Sequence, residues 1–191
     1  TGAPLLDTLS ALQGEGVALP GGGRFALPAW SPDGVENVLR ALQSSPVMHN
    51  ASPLDAVMVD AVALLFDVIF EDKQAPDRLK ALIARLQIPV LRVALKDRSL
   101  FSQRAHPVRR ALDALARLAP RVHEGEGGAA RLAQVGTTVD RLLATAETGD
   151  AAFETAAAEL EALERESEQA IESGIADDIA ERVRAERAGL A

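Results

Sequence analysis

The stretch SPLDAVMVDAVALLFDVIFE, residues 52–71, decides the fold. Ser52 followed by Pro53 is a helix start: a serine oxygen can cap free backbone N–H groups, and proline at the first helical position gives up a donor that has no partner there anyway. Asp55, three residues past the cap, sets a carboxylate at the positive end of the helix dipole. Beyond it Leu54, Val57, Met58, Ala61, Leu64, Leu65, Val68 and Ile69 recur at steps of three and four, with Asp60, Asp67 and Glu71 between them. That rhythm predicts a long helix over 54–71 at the centre of the core, with the Leu54-to-Ile69 stripe facing inward.

The same signals extend in both directions. Toward the N-terminus, Leu5, Leu9 and Leu12 predict a short helix over 4–13, and Ser31-Pro32 predicts a capped helix over about 33–44. Between them, Gly14, Gly16, the run Gly21-Gly22-Gly23 and three prolines read as loop, with a short extended piece at 23–27. The three glycines are followed by no GK[ST], so a phosphate loop is excluded. Toward the C-terminus, helices are expected over 77–87, over 90–95 as a segment apolar nearly all round with Arg92 and Lys96 as its wet edge, and from His106-Pro107 to Pro120. Residues 97–105 read as a loop pinned by Leu100 and Phe101. After a glycine-rich break at 124–128 comes a helix over about 129–147, and then a charged, Ala-rich helical segment from Asp150. There Phe153, Ala156, Leu160, Leu163 and Ser167 step in a heptad rhythm, while Ile171, Ile175, Ile179 and Val183 step by four. The change of rhythm at Ser173-Gly174 favours a stop and a second helix from Asp177 and Asp178.

Composition agrees with helix. The chain of 191 residues has 36 alanines against five Phe, one Trp and no Tyr, a balance that suits close-packed helices and not strands. The expectation is an all-α bundle of about eight helices, compatible with stacked hairpins: a helical core over 1–149 and an acidic helical extension over 150–191 that packs on it or projects from it. Cysteine is absent, which removes disulfides, thiol nucleophiles and thiolate metal sites. No apolar run is long enough for a membrane span, and the first residues lack a signal-peptide pattern, so a cytoplasmic location is expected.

Charge is unevenly placed within the net −8. Residues 77–121 hold 11 bases and 3 acids, whereas 150–191 hold 12 acids and 4 bases. A basic band of this kind either neutralises acidic segments of its own chain or meets a partner. Arg98, Arg104, His106, Arg109 and Arg110 are the candidate partner-binding surface, with acidic protein as the expected partner: the chain's own C-terminal helices or those of a second molecule, self-association through 150–191 included. Nucleic-acid or nucleotide binding by the band is the first alternative, and it is disfavoured by the net negative charge and by Phe101 being the one aromatic in 77–121.

Catalytic chemistry finds no setting. His49, His106 and His123 lack metal-ligand spacing, and the helix start at His106 points to capping or packing. Ser31, Ser52 and Ser99 lack a nucleophile-elbow context, and the carboxylate pairs Asp60/Asp67 and Glu164/Glu168 read as solvated helix faces. No catalytic, metal or cofactor residue is nominated, and an enzyme of undetected class is the second alternative.

The segment ALIARLQIPVLRVALKDRSLFSQRAHPVRRALDALARL, residues 81–118, goes beyond generic helix patterning. It resembles the signature of a bacterial family of large proteins of unknown function: a helix ending in LQIP, a VLKVAL-like helix, a D-x-S-x-F loop, and an HP-x-RR helix. Leu86-Gln87-Ile88-Pro89, Val90 to Leu95, Asp97, Ser99, Phe101, His106-Pro107 and Arg109-Arg110 carry the likeness, which extends from about Leu54 to Arg165. The resemblance implies a parent longer than this chain, in many members followed by a PilZ-type domain that binds cyclic di-GMP. The PilZ pattern itself, RxxxR and then [DN]xSxxG, is not reproduced: Arg117 and Arg121 follow Asp97 and Ser99 instead of preceding them, and position 102 is Ser. Some members bear a thymidine-phosphorylase label, but nothing in this chain resembles that enzyme's motifs. The reading is a non-catalytic interaction or scaffold module of a bacterial regulatory protein, linked to cyclic di-GMP signalling through domains outside this chain.

Overall fold

The computed structural model describes residues 3–12, 17–18, 24–26, 35–122, 127–145 and 149–189. Among them are eight α-helices, three short 3-10 turns and one antiparallel pair of two-residue strands, so the chain is all-α. The helices are α1 (Ala3–Leu12), α2 (Val38–Gln43), α3 (Pro53–Glu71), α4 (Asp77–Ala84), α5 (Gln87–Lys96), α6 (Pro107–Leu118), α7 (Gly128–Ala144) and α8 (Asp150–Gly189). The strands β1 (Val17–Ala18) and β2 (Arg24–Phe25) pair Val17 with Phe25 and Ala18 with Arg24.

Local chemistry accounts for most boundaries. Ser52 Oγ accepts from Asp55 N at 3.1 Å, with Pro53 at the first helical position. Helix α2 begins later than the Ser31-Pro32 signal, at the N-cap Asn37, whose side chain accepts from Leu39 N; residues 31–34 lie outside the described set. Asn37 Nδ2 also donates to Ala63 O at 2.8 Å and to Asp67 Oδ1 at 2.6 Å, which ties α2 onto α3. Helix α4 ends at Ala84, and α5 starts at Gln87, before Pro89. Proline is tolerated there because the first-turn N–H groups have no intrahelical partner. The glycine-rich break expected at 124–128 is described only from Gly127, which turns the chain into α7 with φ 106°, a conformation open to glycine; residues 123–126 lie outside the described set.

The core runs through α5, where Val90, Leu91, Val93, Ala94 and Leu95 are buried, as the all-round apolar pattern requires. Helix α3 packs on it, but turned from the expected orientation: of the expected stripe Met58, Leu65 and Ile69 are half-buried against the core, while its other large residues are exposed. Val59, Val62, Ala63 and Phe66 are fully buried, while Leu54, Val57, Leu64 and Val68 are 40, 54, 58 and 67 % exposed. The helix is apolar on two faces, each with three-and-four spacing. Periodicity finds both, and only the neighbours, α5 and α2, select the one that is buried.

Helix α8 lies along α6. Phe153, Ala156, Leu160, Leu163 and Ser167 are buried, and the four apolar ones belong to the same cluster as the α3–α5 core. The break expected at Ser173-Gly174 does not occur: α8 runs unbroken to Gly189. A glycine inside a helix costs about 1 kcal/mol, and the good helix formers around it outweigh that. From Glu168 onward every described side chain is exposed, Ile171, Ile175, Ile179 and Val183 among them.

Candidate interaction surface

The basic band divides in two. Its C-terminal part faces α8 in a ladder of ion pairs. Arg110 donates from Nε and Nη2 to Glu161 Oε1 and Oε2, both at 2.9 Å, and from Nη1 to Glu154 Oε1 at 2.6 Å. Arg117 Nε donates to Glu164 Oε1 at 2.6 Å, and Arg121 Nη2 to Glu168 Oε1 at 2.7 Å. The two helices therefore run parallel. The hydrogen bonds from Arg110 hold the Glu161 carboxyl below the usual carboxylate range against the opposing effect of burial, and those from Glu161 and Glu154 raise the guanidinium of Arg110 further above neutrality. Arg117 is raised in the same way by Glu164. Elsewhere in the band, Arg85 Nη1 donates to Asp140 Oδ1 on α7 at 2.7 Å, and Lys80 Nζ to Phe70 O at 2.8 Å.

The five residues singled out from the sequence do not form one surface. Arg110 faces α8. His106 is buried as the N-cap of α6, its Nδ1 accepting from Val108 N at 3.2 Å and its Nε2 lying 3.7 Å from Asp97 Oδ2. Asp97 in turn accepts from Ser99 N at 2.8 Å, which lowers its pKa and caps the 3-10 turn Arg98–Phe101. Arg98 and Arg104 are exposed on either side of Phe101, and Arg109 lines a groove next to it.

That groove, of about 450 Å³, is what sequence reasoning missed. Its floor is the outer stripe of α3, with Ala61, Leu64, Leu65 and Val68; its far wall is Leu100 and Phe101 of the 3-10 turn and Leu112 of α6; Arg109 and Asp113 stand on the rim. Leu100 pins the turn from below, as expected, but Phe101 is 38 % exposed and so presents its ring to the groove instead of closing the core. The signal was in the sequence. A helix apolar on two faces, with one core to fill, must leave the other face to something else. Among the described residues, no cluster of three or more His, Asp or Glu could hold a metal ion, and no helix is long and apolar enough to cross a membrane.

An all-α bundle with an apolar groove that the described residues leave uncovered is the class of protein that this architecture defines. The second domain of the DUF1631 proteins of unknown function matches residues 2–149, and the chain belongs to that family. No curated protein and no solved structure matches it.

Proposed function

We propose that the chain is a protein-interaction module, a non-catalytic scaffold element of a larger bacterial regulatory protein in the cytoplasm, and that the groove between α3, the 98–101 turn and α6 is its docking surface. One observation carries the reading. Leu54, Val57, Ala61, Leu64 and Val68 step by three, four, three and four along the outside of α3, and the four large residues among them are exposed. A contiguous apolar stripe at heptad spacing is the surface that a second amphipathic helix covers.

Support comes also from the lining of the groove. Seven of its nine residues are aliphatic or aromatic, with Arg109 and Asp113 as the polar pair, which suits the docking of an apolar helix face. Arg109 stands on its rim with Asp113, and Arg98 and Arg104 are exposed in the segment that carries Phe101, a local excess of positive charge that favours an acidic partner helix. The pairing of Arg110, Arg117 and Arg121 with α8 engages three of the band's eleven bases, and Phe101 is the one aromatic in it, so protein is favoured over nucleic acid. A link to cyclic di-GMP rests on the family resemblance and on domains outside this chain.

The test is capture from native lysate by the wild-type chain and by Leu64→Glu, which is exposed and leaves the core untouched. Proteins retained by the wild type and released by the variant are the expected outcome. Identical sets from both, with the variant folded by circular dichroism, would refute the groove as a docking surface.

A further inference from the structure

Among the described residues the groove has a counterpart, a second uncovered apolar surface: the stripe Ile171, Ile175, Ile179 and Val183 along the exposed end of α8. We propose that the groove of one molecule receives this stripe from a second copy of the chain; the proposal rests on the docking reading and names its occupant.

Three observations argue for this pairing. The lengths agree: Leu54 to Val68 spans about 21 Å of helix and Ile171 to Val183 about 18 Å. The shapes agree, since residues stepping by four form one of the ridges with which a helix fits the grooves between side chains of another. The charges agree as well. Residues 168–189 carry six acids and three arginines. Opposite them, Arg109 stands on the groove rim and Arg98 and Arg104 are exposed in the segment that carries Phe101, none of the three in an ion pair among the described residues, whereas Arg110 and Arg117, about a quarter-turn round α6 from Arg109, and Arg121 just beyond that helix are paired with α8.

The geometry also requires a second molecule. Helix α8 runs parallel to α6, passes its C-terminal end where Glu168 meets Arg121, and continues without a break for about 33 Å beyond Ser167. The groove lies beside the N-terminal half of α6, at Arg109, Leu112 and Asp113. A molecule's own stripe is therefore carried away from its own groove and could return only by breaking the helix. Tail into groove is a contact between unlike surfaces, and a two-fold exchange, each tail entering the other copy's groove, closes it into a dimer.

Sedimentation of the intact chain from low micromolar to submillimolar concentration tests the proposal, with Leu64→Glu for the groove and Ile179→Glu for the tail; both sites are exposed, and circular dichroism verifies folding. The expected result is a concentration-dependent dimer weakened about tenfold or more by either substitution. The chain has no cysteine, so mixing the single variants Leu64→Cys and Ile179→Cys adds a positional readout: a mixed disulfide should form in preference to either homodisulfide. A monomer at every concentration would overturn the proposal. So would a dimer lost in Ile179→Glu but kept in Leu64→Glu, with Ile179→Cys linking to itself, which is the mark of tails pairing with tails. If the chain is monomeric yet Leu64→Glu still loses proteins in the capture experiment, docking stands and self-docking falls.

Discussion

Arg110 grips Glu161 with both edges of the contact matched, Nε and Nη2 each 2.9 Å from one carboxylate oxygen, across 51 positions of sequence. This fork joins α6 to α8 above the buried seam of Phe153 and Leu160, and it is the best-formed rung of the ladder.

The fork makes the docking of α8 sensitive to acid. Glu161 has its pKa lowered from 4.5 in the folded chain, first by the hydrogen bonds from Arg110. A depressed carboxylate contributes stability that is fully present above the unfolded value and is lost as pH falls through the folded one. Melting temperature should therefore decline below about pH 4.5, and less so in Glu161→Gln. An equal decline in the variant would show that Glu161 is not the group responsible. At neutral pH, Arg110→Glu should lower the melting temperature, and adding Glu161→Arg should restore part of the loss.

The orientation of α3 predicts opposite outcomes for neighbouring positions. Phe66 is fully buried and Leu64 is more than half exposed. Phe66→Ala should cost about 3–5 kcal/mol of unfolding free energy, and Leu64→Ala should stay within about 0.5 kcal/mol. Urea denaturation of both variants decides the matter, and a larger loss in Leu64→Ala than in Phe66→Ala would mean that the helix is turned the other way.

Leu91 sits at the centre of α5 with no exposed surface. Leu91→Asp buries a charge without a partner at a cost of several kcal/mol, a large share of the roughly 5–15 kcal/mol that holds a domain together. The variant should be unfolded at room temperature by circular dichroism. A melt within a few degrees of wild type would place α5 at the surface.

Gly174 lies within an unbroken helix, and a Cβ added there meets nothing within 4 Å. Gly174→Ala should raise helicity and slow amide exchange over 170–180, by a factor corresponding to about 1 kcal/mol of local stability. No change, or faster exchange, would restore the arrangement of two separate helices.

Where the sequence was a good guide, one physical cause dominated. The cap at Ser52, the all-round burial of α5 and the heptad seam of α8 each follow from a hydrogen-bonding group or a spacing that has one outcome. The failures arose where two causes competed. On α3 two apolar faces have the same period, and the choice between them is tertiary. At Ser173-Gly174 the stop signal was real but weak, a cost of about 1 kcal/mol in a 40-residue helix that also holds Ala170, Glu172, Ala176 and Ala180. The basic band read as one surface because chain order cannot show that Arg109 and Arg110, adjacent in sequence, emerge about 100° apart on a helix, one beside the groove and the other against α8.

Similarity and burial draw the limits of this protein in different places. The family match stops at residue 149, yet α6 is roofed by the first part of α8, down to Ser167. A chain cut at the first limit would leave Arg110, Arg117 and Arg121 without their carboxylates and open the seat of Phe153 and Leu160 to water; it would be a sticky fragment and not a smaller version of the molecule. The eighteen residues from Asp150 to Ser167 are thus best regarded as a lid built into the fold, and anyone choosing where to end an expressed piece should end it beyond them.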